Sequence, residues 1–200
     1  MKLTREELAT CMDYTLLKPE ATASDVDRVC ADALRLSTAS VCVNPCWVSR
    51  VAESLSGSTV ATCTVIGFPL GATSTEAKVA EASRALRDGA RELDMVINVG
   101  MLRAGESNVV QAEIAALAER SHDRGALLKV IIETCLLTDE QKRVACACAK
   151  RAGADFVKTS TGFSTGVPPW RTSGSCAMPS GRRWVSRLLA ASAPSPPRLP

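Results

Sequence analysis

Two hundred residues with 46% hydrophobic and 22% charged side chains are enough for one substantial core and fit an ordinary globular domain. No apolar run reaches the length of a membrane span, and the charged N-terminus MKLTREELAT leads into no signal-like apolar stretch, so a cytoplasmic chain with no membrane partner is expected. The net charge of +3 is unevenly spread: residues 1–166 carry 19 Lys and Arg against 21 Asp and Glu, while 167–200 carry five Arg and no acid, so the body has no electrostatic footprint for nucleic acid.

From the N-terminus onward, short β-rich runs alternate with longer segments of helical period. Strands are predicted near Met12–Thr15, Ser40–Val43, Val60–Ile66, Glu92–Asn98, Leu127–Ile132 and Asp155–Thr159. Helices are predicted over Thr22–Leu36, Pro45–Leu55, Thr75–Asp88, Glu106–Arg124 and Thr138–Ala152. Ser24 or Thr22, Ser74 or Thr75, and Thr138 are suited to cap helix N-termini, and Gly89, Gly125 and Gly153 stand where helices stop. Each of these glycines precedes an alanine just before the next strand, a repeat expected of α/β units around a parallel sheet.

An open doubly wound sheet would give the same alternation. Polar residues gathered at strand C-termini favour a barrel, since a barrel assembles its site from many such loops: Asn44, Asn98, Glu133-Thr134 and Thr159-Ser160-Thr161. No Gly-x-Gly-x-x-Gly or P-loop follows a strand, which argues against a nucleotide-binding sheet. The nine cysteines include no Cys-x-x-Cys pair and accompany a single histidine, His122, so most are expected to act as small buried hydrophobes, with no metal site.

Two ionisable residues stand out because they interrupt apolar strands. Lys158 ends Ala-Asp-Phe-Val-Lys; burial and a neighbouring cation would release its free amine to attack a carbonyl, whereas the plainer reading is a lysine at the barrel rim or paired with Asp155. Asp94 shares a strand face with Glu92 and Val96; it could relay protons to the same cavity, or form a buried salt bridge, for instance to Lys129. The turn Thr159-Ser160-Thr161-Gly162 offers backbone N–H groups to a phosphate, although such turns are commonly only loops.

Six segments together carry a resemblance: Asp-Tyr-Thr-Leu-Leu-Lys-Pro at 13–19, Val-Cys-Val-Asn-Pro at 41–45, Val-Ile-Gly-Phe-Pro-Leu-Gly at 65–71, Glu-Leu-Asp-Met-Val-Ile-Asn at 92–98, Leu-Lys-Val-Ile-Ile-Glu-Thr at 128–134 and Phe-Val-Lys-Thr-Ser-Thr-Gly at 156–162. In order and spacing they resemble the deoxyribose-phosphate aldolase family, from about residue 10 to 166. The resemblance implies a TIM (β/α)8 barrel and reversible cleavage of 2-deoxy-D-ribose 5-phosphate to D-glyceraldehyde 3-phosphate and acetaldehyde, with no cofactor. It implies Lys158 as the Schiff-base nucleophile and Asp94 as the proton donor and acceptor. Asp13, Thr15, Cys42, Lys129, Thr161 and Gly162 are implied to bind the sugar phosphate. Tyr14 departs from the histidine frequent in the family. A homo-oligomer is left open.

The tail departs further. The family continues with a helix and a strand bearing a second catalytic lysine, but 167–200 contain no Lys, no acid and seven of the ten prolines. Back-translating the tail and regrouping its triplets one base earlier gives GATVEDVRLMRDAVGPAVGVKAAGGIRT, which is similar to the family continuation, its lysine codon straddling Ser186 and Arg187. The expected organisation is therefore a partial barrel of about six βα units over 1–166, followed by an out-of-frame, disordered Pro/Arg/Ser-rich tail over 167–200. The first and sixth strands are expected to be open edges, and activity to be impaired. The alternatives are another Schiff-base barrel aldolase, such as a transaldolase-like enzyme, and a non-catalytic fragment or interaction module using the basic tail.

Overall fold

The computed structural model describes residues 4–164 and 191–192. Six strands, β1 (Asp13–Leu16), β2 (Ser40–Val43), β3 (Ala61–Ile66), β4 (Glu92–Val96), β5 (Leu127–Ile131) and β6 (Phe156–Lys158), run parallel in sequence order. They curl into part of a barrel, with helices between successive strands. The principal helices are α2 (Ala23–Leu36), α3 (Val48–Ser54), α4 (Thr75–Arg87), α6 (Ser107–His122) and α7 (Asp139–Arg151). Two short helices, α1 (Arg5–Ala9) and α5 (Val99–Arg103), were not expected from periodicity.

Local chemistry accounts for the helix starts. Thr22 and Thr138 each form a capping box, with Asp25 and Gln141 respectively, and Ser74 accepts from the Ala77 N–H. Of the caps offered as pairs, Thr22 and Ser74 are therefore the ones used. Thr4 and Glu7 form the same box for α1. On α2, Val26, Val29, Cys30 and Ala33 are buried at the spacing of one helical face.

Strand alternation separates two environments. Val41, Val43, Leu93, Met95, Leu128, Val130 and Val157 face the helices and join their apolar side chains in the core there. The opposite face, lining the barrel interior, carries Asp13, Thr15, Cys42, Cys63, Glu92, Asp94, Lys129 and Lys158, several of them register neighbours. Outside that interior, α4 and α6 hold the C-terminal end of β4 through a second buried ion pair: Lys78 lies 2.7 Å from Glu113 and donates to the Val96 carbonyl at 2.8 Å. Glu113 also accepts the Asn98 N–H at 3.2 Å.

The expectation of an open edge at β1 is corrected. A two-residue strand, β7 (Ala191–Ser192), pairs parallel with β1, Tyr14 opposite Ala191 and Thr15 opposite Ser192. Unpaired backbone groups along β1 invite such a partner, because a buried N–H or C=O without one is costly. The sheet order is β6-β5-β4-β3-β2-β1-β7, so among the described residues β6 remains an edge and the sheet is not closed. The rest of the 167–200 tail lies outside the described residues. No described helix is long and apolar enough to cross a membrane.

Candidate active site

The interior face holds an ionic cluster built on four strands. Lys129 on β5 is wholly buried, and its ammonium lies 2.7 Å from Glu92, 2.9 Å from Asp94 and 3.0 Å from Asp13. Three N–H donors thus meet three carboxylates. Lys158 on β6, 9% exposed, lies 3.2 Å from the same Asp13 oxygen and in direct contact with the second oxygen of Asp94. Ser40 donates to the other Asp13 oxygen at 2.7 Å.

Charge and burial compete throughout this cluster. Burial alone would raise Asp94, yet the Lys129 and Lys158 cations hold its carboxyl below the ordinary value. The same balance keeps Asp13 far below the carboxylate range, with Ser40 adding a hydrogen bond to its charged form. Burial lowers Lys158, and so does Lys129, but Asp94 and Asp13 outweigh both and raise its ammonium above the usual lysine value. Lys129 is raised well above its ordinary value, burial being overcome by Asp94, Cys63, Asp13 and Glu92. Burial and the Lys129 cation alone would free the Lys158 amine; the adjacent carboxylates decide the sign and keep it an ammonium.

Pairing of Lys158 with Asp155 is also corrected. Asp155 precedes β6 on the opposite parity and faces outward, where it meets His122 at 3.0 Å and accepts the Leu128 N–H at 2.8 Å. The salt-bridge reading of Asp94 with Lys129 holds together with its contact to Lys158.

Above the cluster a cavity opens at the C-terminal ends of the strands. Its wall includes Lys158, Asp94, Thr15, Cys42, Thr161 and Gly162. Asp13 and Lys129 do not line it; they lie below and act on Lys158 through charge. Phe68 lines one side, and Phe163 meets it edge-on with ring centres 5.2 Å apart. Thr161 N–H, one of the turn groups that could hold a phosphate, donates to Glu133 at 3.1 Å, and the Thr161 hydroxyl bonds the same carboxylate. Ser160 presents a buried hydroxyl with no hydrogen-bond partner among the described residues.

Sequence reasoning missed Cys63, and placed Glu133 only among the polar residues at strand ends. Cys63 donates to Asp94 at 3.3 Å, and Lys129 approaches its sulfur at 3.4 Å. Glu133, at φ 48°, is one of two described non-glycine residues with positive φ, and this turns its carboxylate onto the loop that follows Lys158. Acid and hydroxyl flanking the turn were visible; the left-handed backbone was not.

Residues 8–176 match the family described as DeoC/LacD family aldolase. This chain belongs to that family. It is 56% identical over 155 residues to the deoxyribose-phosphate aldolase of Streptococcus gordonii, covering 78% of this chain and 70% of that protein. The Clostridium kluyveri deoxyribose-phosphate aldolase is 53% identical over 160 residues, covering 80% of this chain and 73% of the other. Among solved structures, one from Coccidioides immitis assigned as a deoxyribose-phosphate aldolase matches with TM-score 0.84 and 40% identity, over 87% of this chain and 68% of that one. The deoxyribose phosphate aldolase of Aeropyrum pernix, described as tetrameric, matches with TM-score 0.76 and 34% identity, over 81% and 68% of the two chains. The fold of this DeoC/LacD chain is thus an incomplete (β/α)8 barrel.

Proposed function

We propose that this chain carries the site of a class I deoxyribose-phosphate aldolase, a carbon–carbon lyase that cleaves 2-deoxy-D-ribose 5-phosphate reversibly to D-glyceraldehyde 3-phosphate and acetaldehyde through an imine on Lys158. The observation that carries this reading is a buried lysine at the cavity wall in contact with a buried carboxylate, Asp94. When Lys158 gives up its proton, its nitrogen can attack the aldehyde carbonyl, and Asp94 is placed to take and return protons as carbinolamine becomes imine and enamine. Thr15, Cys42, Thr161 and Gly162 would shape the substrate-facing wall. Asp13 and Lys129 would set the charge of Lys158 from beneath. Catabolism of deoxyribose phosphate in the cytoplasm agrees with this chemistry, as does an assembly of identical chains.

Turnover by the 200-residue chain is expected to be impaired. Lys158 is held as an ammonium, and no second lysine stands beside it in the tail. We read 167–200 as translated out of frame, so a group that normally assists proton transfer is missing, a loss commonly worth about 10²–10⁴-fold in rate. The test is reductive trapping with borohydride and acetaldehyde, read by peptide mass spectrometry. The chain as given should trap little adduct, the frame-restored protein should trap one on Lys158, and Lys158→Ala in the restored protein should trap none. An adduct on another lysine of the restored protein would overturn the assignment.

A further inference from the structure

Cys42 and Cys63 are direct register neighbours on parallel β2 and β3, and their side chains share the interior face. Their sulfurs and a carboxylate oxygen of Asp94 all lie within 4.8 Å of one another. Cys42 lines the cavity, whereas Cys63 sits behind it and is fully buried. Burial, a hydrogen bond with Cys42 and the nearby Asp94 charge push the Cys63 group up, so it is a protonated thiol whose hydrogen is directed at Asp94.

Register neighbours on adjacent strands stand about 4.8 Å apart, inside the Cα separation that a disulfide spans, about 4.4–6.8 Å. The register and the shared face of the two sulfurs therefore place the pair within reach of a disulfide.

We propose that Cys42 and Cys63 form a peroxide-oxidisable dithiol, in which Cys42 is the residue attacked through the cavity and Cys63 the resolving thiol. Hydrogen peroxide or an alkyl hydroperoxide transfers one oxygen to the Cys42 sulfur. An S–O bond forms, the O–O bond breaks, water or an alcohol leaves, and the sulfur is oxidised by two electrons to a sulfenic acid. The Cys63 sulfur then attacks the Cys42 sulfur, so that an S–S bond forms and the S–O bond breaks. Asp94, 3.3 Å from the Cys63 sulfur, takes the thiol proton, and the departing hydroxide takes one from the Lys158 ammonium and leaves as water. The contact between Asp94 and Lys158 lets the two exchange that proton afterwards.

The disulfide ends the Cys63 donation to Asp94 and stiffens the cavity wall, so the same oxidation disables the site. The proposal rests on the two thiols and Asp94, and holds whether or not the chain turns over substrate.

The experiment exposes the folded full-length chain to hydrogen peroxide, blocks remaining thiols with iodoacetamide and digests with trypsin without reduction. Cys42 lies in peptide 36–50 and Cys63 in peptide 51–78, so the link is read directly, and fragment ions separate Cys42 from Cys46 in the first peptide. The expected result is one dominant cross-link, the joined peptides lighter by two hydrogens and both cysteines lost to alkylation. Dithiothreitol should reverse it, and the chain oxidised in denaturant should give mixed pairings instead. In Cys63→Ser, dimedone should label Cys42 where the parent gives the link. Two outcomes would overturn the proposal: Cys42 and Cys63 both still alkylated after exposed Cys11 has oxidised, or Cys42 carried to sulfinic acid while Cys63 stays a thiol.

Discussion

Replacing Lys129 by methionine keeps the length of the side chain and removes the cation on which Glu92, Asp94 and Asp13 converge at 2.7, 2.9 and 3.0 Å. Breaking one buried pair by deleting a partner costs about 3–5 kcal/mol, because a charge is left without compensation. Here three carboxylates lose their shared cation, and Lys158 stays beside two of them. A typical domain has a total stability of about 5–15 kcal/mol, so Lys129→Met should bring the chain close to unfolding at neutral pH.

The loss should also depend on pH in a stated direction. With Lys129 gone, at least one carboxylate of the cluster binds a proton in the folded state at a pH where the unfolded chain does not. Stability then falls as pH rises, by about 1.4 kcal/mol per unit for one such proton. Urea titrations followed by far-ultraviolet circular dichroism between pH 5 and 8 check this. Lys129→Met combined with Glu92→Gln should recover part of the loss, since one competing charge is removed. A variant within about 1 kcal/mol of the parent, with no pH slope, would refute the account of the cluster.

In the unaltered chain, the depressed Asp13 and Asp94 stabilise the fold above the unfolded carboxylate value near pH 4, while the raised Lys129 and Lys158 stabilise it below about pH 10.5, so melting temperature should plateau between these limits and fall outside them. Gly71→Ala places a Cβ 1.9 Å from the Ile97 carbonyl oxygen at φ +66°, and should cost about 3 kcal/mol or more. Gly57→Ala, at φ +77° with open space around it, should lose only the left-handed penalty of about 1–2 kcal/mol in the same urea titration. Lys78→Met should cost about 3–5 kcal/mol by stranding Glu113, and the double variant with Glu113→Leu markedly less, a comparison made by thermal melts. In the frame-restored protein, borohydride trapping on Lys158 should rise with pH from 7 to 9, about tenfold per unit where the ammonium predominates, and a flat profile would exclude its deprotonation as the limiting step.

All six main strands and five principal helices were legible because apolar alternation, capping residues and terminal glycines agreed at each step. The fine misses have local causes. Five-residue helices are too short to show a period, although the Thr4-x-x-Glu7 signature of α1 was present. Asn98 was assigned to a strand because the apolar run reaches it, yet its side chain accepts the Met101 N–H and starts α5. In the site, Lys158 and Asp94 stood out as charges inside apolar strands, but sequence distance suggested Asp155 as a partner where strand parity forbids it. Cys63 was hidden by its own chemistry, since a buried thiol looks like any small hydrophobe until Asp94 and Lys129 are seen beside it. The cause of the Lys158 shift was out of reach for a deeper reason. Burial and Lys129 argue for a free amine, and the outcome turns on two carboxylates brought from β1 and β4 to within contact. Among the described residues, three interior carboxylates face two lysines. That imbalance holds Lys158 as an ammonium, and a further cation placed beside it by a continued barrel would act directly against it.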